Sequence, residues 1–133
     1  MFAGAGFTHI IAAASNYHYA LGKELQALRN KGVLIVGRGN IVHNLRAAVW
    51  REEAYDWAIE FDNKIKGLVL NGNHDPIVHY QTLGQAARLA IPTNEHYLPL
   101  LYVLPVQGKN EQVKFFADQV TMGSLSMRSL WIQ

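Results

Sequence analysis

The stretch of sequence on which the fold depends is Val33-Leu34-Ile35-Val36-Gly37-Arg38-Gly39-Asn40-Ile41-Val42-His43. It opens with four consecutive apolar residues, and a glycine turn at 37–40 follows them directly. A short apolar run that ends in glycines is typical of a strand buried on both faces, as in a parallel sheet. We therefore expect residues 33–36 to form a buried strand, with His43 just beyond its carboxyl end.

Helical periodicity flanks this strand on both sides. Before it, apolar residues recur at positions 17, 21, 25 and 28, and Asn30-Lys31-Gly32 is a helix-stop pattern. After it, residues 54–70 carry apolar side chains at 57, 61, 65 and 68, with charged residues over much of the remainder. Helix, strand and helix in that order predict an α/β layer fold.

The second half of the chain predicts shorter elements. Pro76 favours a short helix that opens at residues 74–76, and residues 80–90 continue it against the core. Pro99 cannot donate a backbone hydrogen bond, so a helix near it should begin at about Glu95 or His96, with Pro99 in its first turn. Residues 113–116 predict an exposed strand, and residues 125–132 predict a closing strand.

Composition limits the class of protein. The chain has 133 residues, 50% of them hydrophobic and 17% charged, which is typical of a globular domain and fits a single domain over 1–133. That length is short for an enzyme with an enclosed pocket, so a missing partner segment is expected. The net charge is only +2 and the basic residues are scattered, which argues against nucleic acid as a partner.

Cysteine and hydropathy narrow the possibilities further. The chain has no cysteine, so any metal must be held by nitrogen and oxygen ligands, and a reducing cytoplasm is compatible with this. No stretch reaches the roughly 18 apolar residues of a membrane span. The apolar opening lacks the basic start of an export signal. Residues 1–16 are nevertheless atypical, because they are richer in alanine and glycine than the rest.

Two histidines are the best candidates for chemistry. His43 follows a predicted strand end, the edge at which open α/β sheets bind ligands. His96 is expected at a helix N-terminus, where the helix dipole favours the neutral imidazole that binds metals. The residues alone leave structural roles open: His43 as an ordinary loop residue, and His96 as a capping residue. Glu95 is a rival ligand, but adjacent residues on a helix point in different directions.

The remaining histidines, glycines and serines give weaker evidence of function. His9, His18, His74 and His79 are expected to be structural or at the surface, because the spacing of five between the last two does not place them on one helix face. The glycines at 37 and 39 lack the further residues of a dinucleotide or phosphate loop. Ser124 and Ser126 lie in no nucleophile elbow, so a serine hydrolase has no support.

Four ordered motifs together resemble one family. They are residues 17–25, 37–46, 95–102 and 122–129, and the resemblance extends from Tyr17 to Gln133. The family is that of the LigB-like class III extradiol dioxygenases, in particular the 4,5-DOPA dioxygenase branch. The resemblance implies a mixed sheet flanked by helices, present here as an incomplete copy of the domain, because members of the family are about twice as long.

The same resemblance implies a site. His43 matches the acid/base histidine of the family and His96 matches its third metal-binding histidine, with Fe(II) or Zn(II) as the metal. The other two ligands lie in an N-terminal half that this chain does not contain. The implied reaction opens a catechol-type, DOPA-like ring with O2 to a muconic semialdehyde-type product. Arg38 departs from the small residue usual in the family and is expected to crowd the turn beside His43.

An alternative remains open. A LigB-like fold also suits a non-catalytic metal-binding or interaction protein. With one expected ligand of three, the chain alone is expected to bind iron or zinc weakly. The preferred catechol and the oligomeric state do not follow from the sequence.

Overall fold

The computed structural model describes residues 14–133, and most of its regular structure is helical. The α-helices are α1 (Ser15–Arg29), α2 (Asp56–Leu70), α3 (Asp75–Val78), α4 (Gln85–Ala90) and α5 (Leu98–Val103). Short 3-10 helices lie at Leu45–Ala47, Tyr80–Leu83 and Leu104–Val106. The strands are β1 (Val113–Phe116), β2 (Val120–Thr121), β3 (Leu125–Ser126) and β4 (Ser129–Ile132).

The two long helices confirm the sequence prediction, and each buries one face. Helix α2 buries Ala58, Phe61, Ile65 and Val69, at intervals of three or four residues. Helix α1 buries Ser15, His18 and Gly22. The apolar residues predicted to form its buried stripe, at 17, 21, 25 and 28, are exposed or only partly buried. Small residues on the buried face allow α1 to approach α5 and the 3-10 turn after it.

Gly22 shows how close that approach is. A Cβ atom at Gly22 would lie 2.5 Å from the Pro105 side chain and 2.9 Å from the Tyr102 carbonyl oxygen. Any larger residue would therefore push α1 away from α5. This contact fixes the position of α5, which directly follows the turn that carries His96.

The core lies between α2, α4 and α5. Tyr97, Phe61 and Leu101 are among its largest buried side chains, and the Tyr97 hydroxyl donates a hydrogen bond of 2.9 Å to the Ile77 carbonyl. The Tyr97 ring also packs at 4.8 Å, centroid to centroid, from that of Tyr80. Because Tyr97 is held on several sides, it anchors its neighbour His96.

The β-structure within residues 14–133 consists of two small antiparallel sheets. Strand β1 pairs with β4, so that Val113 lies opposite Ile132, and β2 pairs with β3, so that Val120 lies opposite Ser126. Helices combined with β-structure confirm the predicted α/β class. The predicted exposed strand at 113–116 is confirmed as β1, half of which is exposed. The predicted single strand at 125–132 is wrong, because it divides into β3 and β4, which have different partners.

The predicted buried strand at 33–36 is also wrong for the described residues. Residues 33–40 belong to no helix or strand, and Leu34 and Val36 are 71% and 77% exposed. The apolar pattern is typical of a strand, but residues 14–133 supply no neighbouring strand to pair with it.

Two helix starts differ from the prediction. The helix at 80–90 is interrupted by Gly84, whose φ of +91° lies in the left-handed region that glycine tolerates. Helix α5 begins at Leu98, so His96 lies in the turn before it rather than in its first residues. The short helix at residues 74–76 is confirmed as α3, with Pro76 in its first turn. Across residues 14–133, no helix combines the length and apolar character that crossing a membrane requires.

Candidate functional site

His43 is held by backbone hydrogen bonds on both sides of its segment. Its N–H donates to the Ala90 carbonyl at 2.9 Å, and it forms an antiparallel bridge with Leu125 at the start of β3. The next residue, Asn44, donates its N–H to the Ser124 carbonyl at 3.2 Å, and the Ser124 hydroxyl donates to the Asn44 carbonyl at 2.7 Å. The backbone at His43 is therefore fixed between the end of α4 and β3.

His96 is placed by its contacts with Gly39 and Asn40. The Asn40 N–H donates to the His96 carbonyl at 2.8 Å, and a Cβ atom at Gly39 would lie 2.0 Å from that same oxygen. No residue other than glycine fits there without moving the backbone. The glycine that the sequence presents as part of a turn therefore brings residues 39–43 against the turn at His96.

The two histidine rings stack. Their centroids are 3.5 Å apart and their planes differ by 10°. Both side chains are partly exposed. The two residues singled out from the sequence are thus side by side, although neither is delivered by the end of a parallel strand. Their chemical roles stay predictions, because ring contact alone assigns none.

The surroundings favour a neutral His43. Partial burial lowers the pKa of His43, the nearby His96 lowers it further, and Glu95 opposes both effects. Two imidazolium rings in contact would repel each other, so the stacked arrangement favours at least one neutral ring. A neutral imidazole can accept a proton or bind a metal.

Glu95 and Arg38 lie beside this pair. The Glu95 carboxylate accepts a hydrogen bond of 2.8 Å from the Thr93 hydroxyl, and a backbone hydrogen bond and this one hold its pKa below the ordinary value. Arg38 is exposed and, with His96, lines an open cavity of about 1040 Å³ that His43 does not line. The expected crowding of the turn by Arg38 has no counterpart in the contacts described for it.

The other histidines lie elsewhere. His18 is buried with its Nδ1 2.9 Å from the Tyr102 hydroxyl, and His74 is half-buried with its Nδ1 2.7 Å from the Tyr19 hydroxyl. His79 is exposed beside Asp75. These positions fit the structural or surface roles expected for them. His9 lies outside the described residues.

The described residues provide only part of a metal-binding site. Among residues 14–133, no group of three or more histidine, aspartate or glutamate side chains is arranged to hold an ion. The donor chemistry of His96, an imidazole in a partly exposed turn, suits Fe(II) or Zn(II). The described residues fit a metal as one contributor to a site that other ligands must complete.

Sequence reasoning missed the residues that hold this pair in place. Asn40 donates from its side chain to the Ser126 carbonyl at 2.7 Å, and the Ser126 N–H donates to the Val42 carbonyl at 3.0 Å. Asn44 donates from its side chain to the Leu89 carbonyl at 2.8 Å and accepts from the Ala47 N–H. The sequence feature that could have identified Asn40 and Asn44 is their position inside the motif at 37–46, which also contains His43.

A buried ionic cluster is hydrogen-bonded to β3 through Ser126. The Ser126 hydroxyl donates to Asp62 at 2.5 Å, and Arg128 donates from Nε to the same carboxylate at 2.8 Å. Arg128 also pairs with Asp118 and lies over the Phe115 ring. Asp62 sits in α2 among charged surface residues, and nothing in its sequence context distinguishes it from them.

Known proteins resemble this chain over most of its length. The family model described as "Catalytic LigB subunit of aromatic ring-opening dioxygenase" matches residues 8–127. A 4,5-DOPA dioxygenase extradiol of Escherichia coli is 40% identical over 121 residues, covering 87% of this chain and 44% of the relative. The protein of that name from Beta vulgaris is 29% identical over 114 residues, covering 85% of this chain and 42% of the relative.

A solved structure agrees with these matches. The crystal structure of an uncharacterized protein from Escherichia coli K12 superposes with a TM-score of 0.83 at 35% identity. The superposition covers 90% of this chain but 51% of that one. The chain spans a little less than half the length of the curated relatives that it matches.

Proposed function

The chain belongs to the LigB family, and from that premise we propose that it forms part of an extradiol dioxygenase that opens a catechol-type, DOPA-like ring with O2. The observation that carries the proposal is the stacking of His43 on His96 at 3.5 Å within a chain of this family. In this proposal His43 is the acid/base group, and His96 is one metal ligand.

His96 would hold Fe(II) or Zn(II) together with ligands from outside the described residues. Such a metal, when bound, supplies a positive charge that lowers the pKa of a coordinated hydroxyl, and it brings the two reactants together. Zinc has no redox chemistry, which favours Fe(II) for a reaction with O2. The turn at His96 orients its imidazole through the bond from Asn40 and the anchoring of Tyr97.

His43 would move the proton. Its lowered pKa keeps the ring neutral near pH 7, so it can accept a proton from a catechol hydroxyl and return it later in the reaction. Because its backbone is fixed at Ala90 and Leu125, the ring is oriented before the substrate arrives. The product would be a muconic semialdehyde-type acid, formed by insertion of both oxygen atoms of O2 beside the diol.

The alternative proposal is a LigB-like protein that binds metal weakly or serves only in interaction. The absence of a group of three potential metal ligands among residues 14–133 is expected under both proposals. Oxygen uptake separates the two proposals, because only the enzyme consumes O2 in a catechol-dependent way.

The test is a chimera in which this chain replaces the matched 121 residues of the Escherichia coli relative. Supplied with Fe(II) and DOPA, the chimera is expected to consume O2 and form a yellow semialdehyde. The same chimera with His79→Ala should behave identically, since His79 is an exposed histidine away from the pair. A folded, iron-loaded chimera that consumes no O2 would contradict the enzymatic proposal and favour the non-catalytic one.

A further inference from the structure

Ser126 of β3 is hydrogen-bonded to the segments that hold both histidines of the site. Its N–H donates to the Val42 carbonyl at 3.0 Å, directly before His43. Its own carbonyl accepts a hydrogen bond of 2.7 Å from the Asn40 side chain. The Asn40 N–H in turn donates to the His96 carbonyl at 2.8 Å. A displacement of Ser126 would therefore be passed on to both rings.

The Ser126 hydroxyl is bonded to a carboxylate of the core. It donates to Oδ1 of Asp62 in α2 at 2.5 Å, and both side chains are buried. The Arg128 N–H donates to the same hydroxyl oxygen at 3.3 Å, and the Arg128 guanidinium donates to Oδ2 of Asp62. Both carboxylate oxygens of Asp62 are thus bonded to β3 or to the residue two positions after it.

Net stability is a weak explanation for a buried pair of this kind. The attraction between Asp62 and Arg128 is offset by the cost of removing both charges from water, so an apolar pair of similar volume is often as stable. An apolar side chain at 62 could not, however, accept the directional hydrogen bond from the Ser126 hydroxyl. What the carboxylate supplies is a defined position for Ser126.

We propose that Asp62 is a positioning residue, which acts through Ser126 to set the spacing and orientation of the His43 and His96 rings. The rings are stacked with centroids 3.5 Å apart and planes within 10°, so a small shift of either backbone segment would change their contact. This role deepens the proposed function and rests on it, because the spacing affects a reaction only if both rings serve the same one.

The first test is made in this chain and needs no turnover. Ser126→Ala removes the hydroxyl but keeps the backbone bonds to Val42 and Asn40. We expect weaker nuclear Overhauser contacts between the His43 and His96 rings and altered ring shifts. Ser129→Ala is the matched control, because the Ser129 hydroxyl donates only to the nearby Met127 carbonyl. Its ring signals are expected to equal those of the parent.

A double variant separates positioning from charge. Asp62→Leu with Arg128→Met removes both partners, so no buried charge is left without its counterion. Asp118 keeps its bond of 2.6 Å from Lys66. The double variant is expected to stay folded, as thermal unfolding would show. It is nevertheless expected to displace the two rings as Ser126→Ala does, because the Ser126 hydroxyl has lost its acceptor.

The second test uses the chimera with the Escherichia coli relative, Fe(II) and DOPA. We expect the Ser126→Ala chimera to lose about tenfold or more in kcat per bound iron, since small displacements of reacting groups are costly. Its iron content and its KM are expected to stay within about twofold of the parent. A purely structural role would lower the amount of folded enzyme and leave kcat per bound iron unchanged.

Three results would overturn the role of Asp62. Unchanged contacts between the His43 and His96 rings in both variants would show that Asp62 does not act on them. Displaced rings with an unchanged kcat per bound iron would show that their spacing has no effect on the reaction. Loss of the fold in both variants would make the buried ionic cluster purely structural. A parent chimera that is folded, iron-loaded and inactive contradicts the proposed function alone, and the ring contacts in this chain still decide whether Asp62 positions the two histidines.

Discussion

Gly39 is the residue whose missing side chain allows His43 and His96 to meet. A Cβ atom there would lie 2.0 Å from the His96 carbonyl oxygen, which belongs to the backbone and cannot turn away. The sequence predicts a turn at residues 37–40, but residues 33–40 form no turn, helix or strand. The close contact could not be predicted, because it depends on a residue far along the chain.

Replacing Gly39 by Ala is expected to separate the two rings and to destabilise the fold by about 1–3 kcal/mol, the usual range for overpacking. Urea unfolding measures the stability, and the NMR shifts of the His43 ring report loss of stacking. Gly67→Ala is the matched control, since nothing lies within 4 Å of a Cβ atom at that helical position. A Gly39→Ala protein as stable as the control, with unchanged ring shifts, would contradict this role of Gly39.

His74 gives a pH prediction at the same scale. Burial lowers the pKa of His74 below its ordinary value of 6.5, and Lys23 lowers it further. The unfolded chain therefore takes up this proton at a higher pH than the folded chain does, so stability falls as the pH drops from about 6.5 through the folded pKa. We expect an NMR titration midpoint for His74 below 6.5. A titration midpoint above 6.5 would contradict the assignment of His74 to a partly buried site near Lys23.

The elements show what the sequence could predict and what it could not. Helix α2 follows from periodicity, because its predicted apolar face contains the buried Phe61 and Ile65. Helix α1 forms as predicted, but it buries Ser15, His18 and Gly22 and not the predicted stripe. Residues 33–36 form no strand, because an apolar pattern predicts a strand only where another strand pairs with it, and residues 14–133 offer no such partner there. The sequence could not predict that residues 125–132 divide into β3 and β4, because both parts contain apolar residues and only their pairing partners distinguish them.

The cluster beneath β3 leads to a prediction for one element. Asp62 and Arg128 are 2% and 8% exposed, and Asp62 also accepts from the Ser126 hydroxyl. Asp62→Ala leaves a largely buried guanidinium without its main partner, and is expected to cost about 3–5 kcal/mol of unfolding free energy.

The control for this change is Glu53→Ala. Glu53 pairs with Arg51 at 3.7 Å at the surface, where its loss should change stability by no more than about 1 kcal/mol. Urea unfolding measures both variants. Equal stabilities for the two would mean that the buried cluster does not support β3.

At the scale of the whole molecule, α1 is tied to the segment before β1 by one ion pair. Arg29 donates two hydrogen bonds, of 2.5 and 2.6 Å, to the Glu111 carboxylate, and both side chains are 27% exposed. These bonds, together with one from the Gly108 N–H, hold the pKa of Glu111 below its ordinary value. The stabilisation is complete above the unfolded pKa of a glutamate and is lost as the pH falls through the lower folded value.

Glu111→Gln is therefore expected to lower stability at pH 7 and to reduce its loss between about pH 5 and pH 3. Thermal unfolding at several pH values measures both effects. A variant whose stability falls with acid as steeply as that of the parent would rule out this pair as a contributor.

We propose that His43 and His96 have different tasks in one site. This division of tasks is tested most directly by iron content and DOPA-dependent O2 uptake in the chimera carrying His43→Gln or His96→Gln. We expect His43→Gln to keep its iron and to lose about 100-fold or more in rate, as for removal of an acid/base group. We expect His96→Gln to lose the iron itself. A His43→Gln chimera that turns over at the parent rate, or a His96→Gln chimera that binds iron as tightly as the parent, would contradict it.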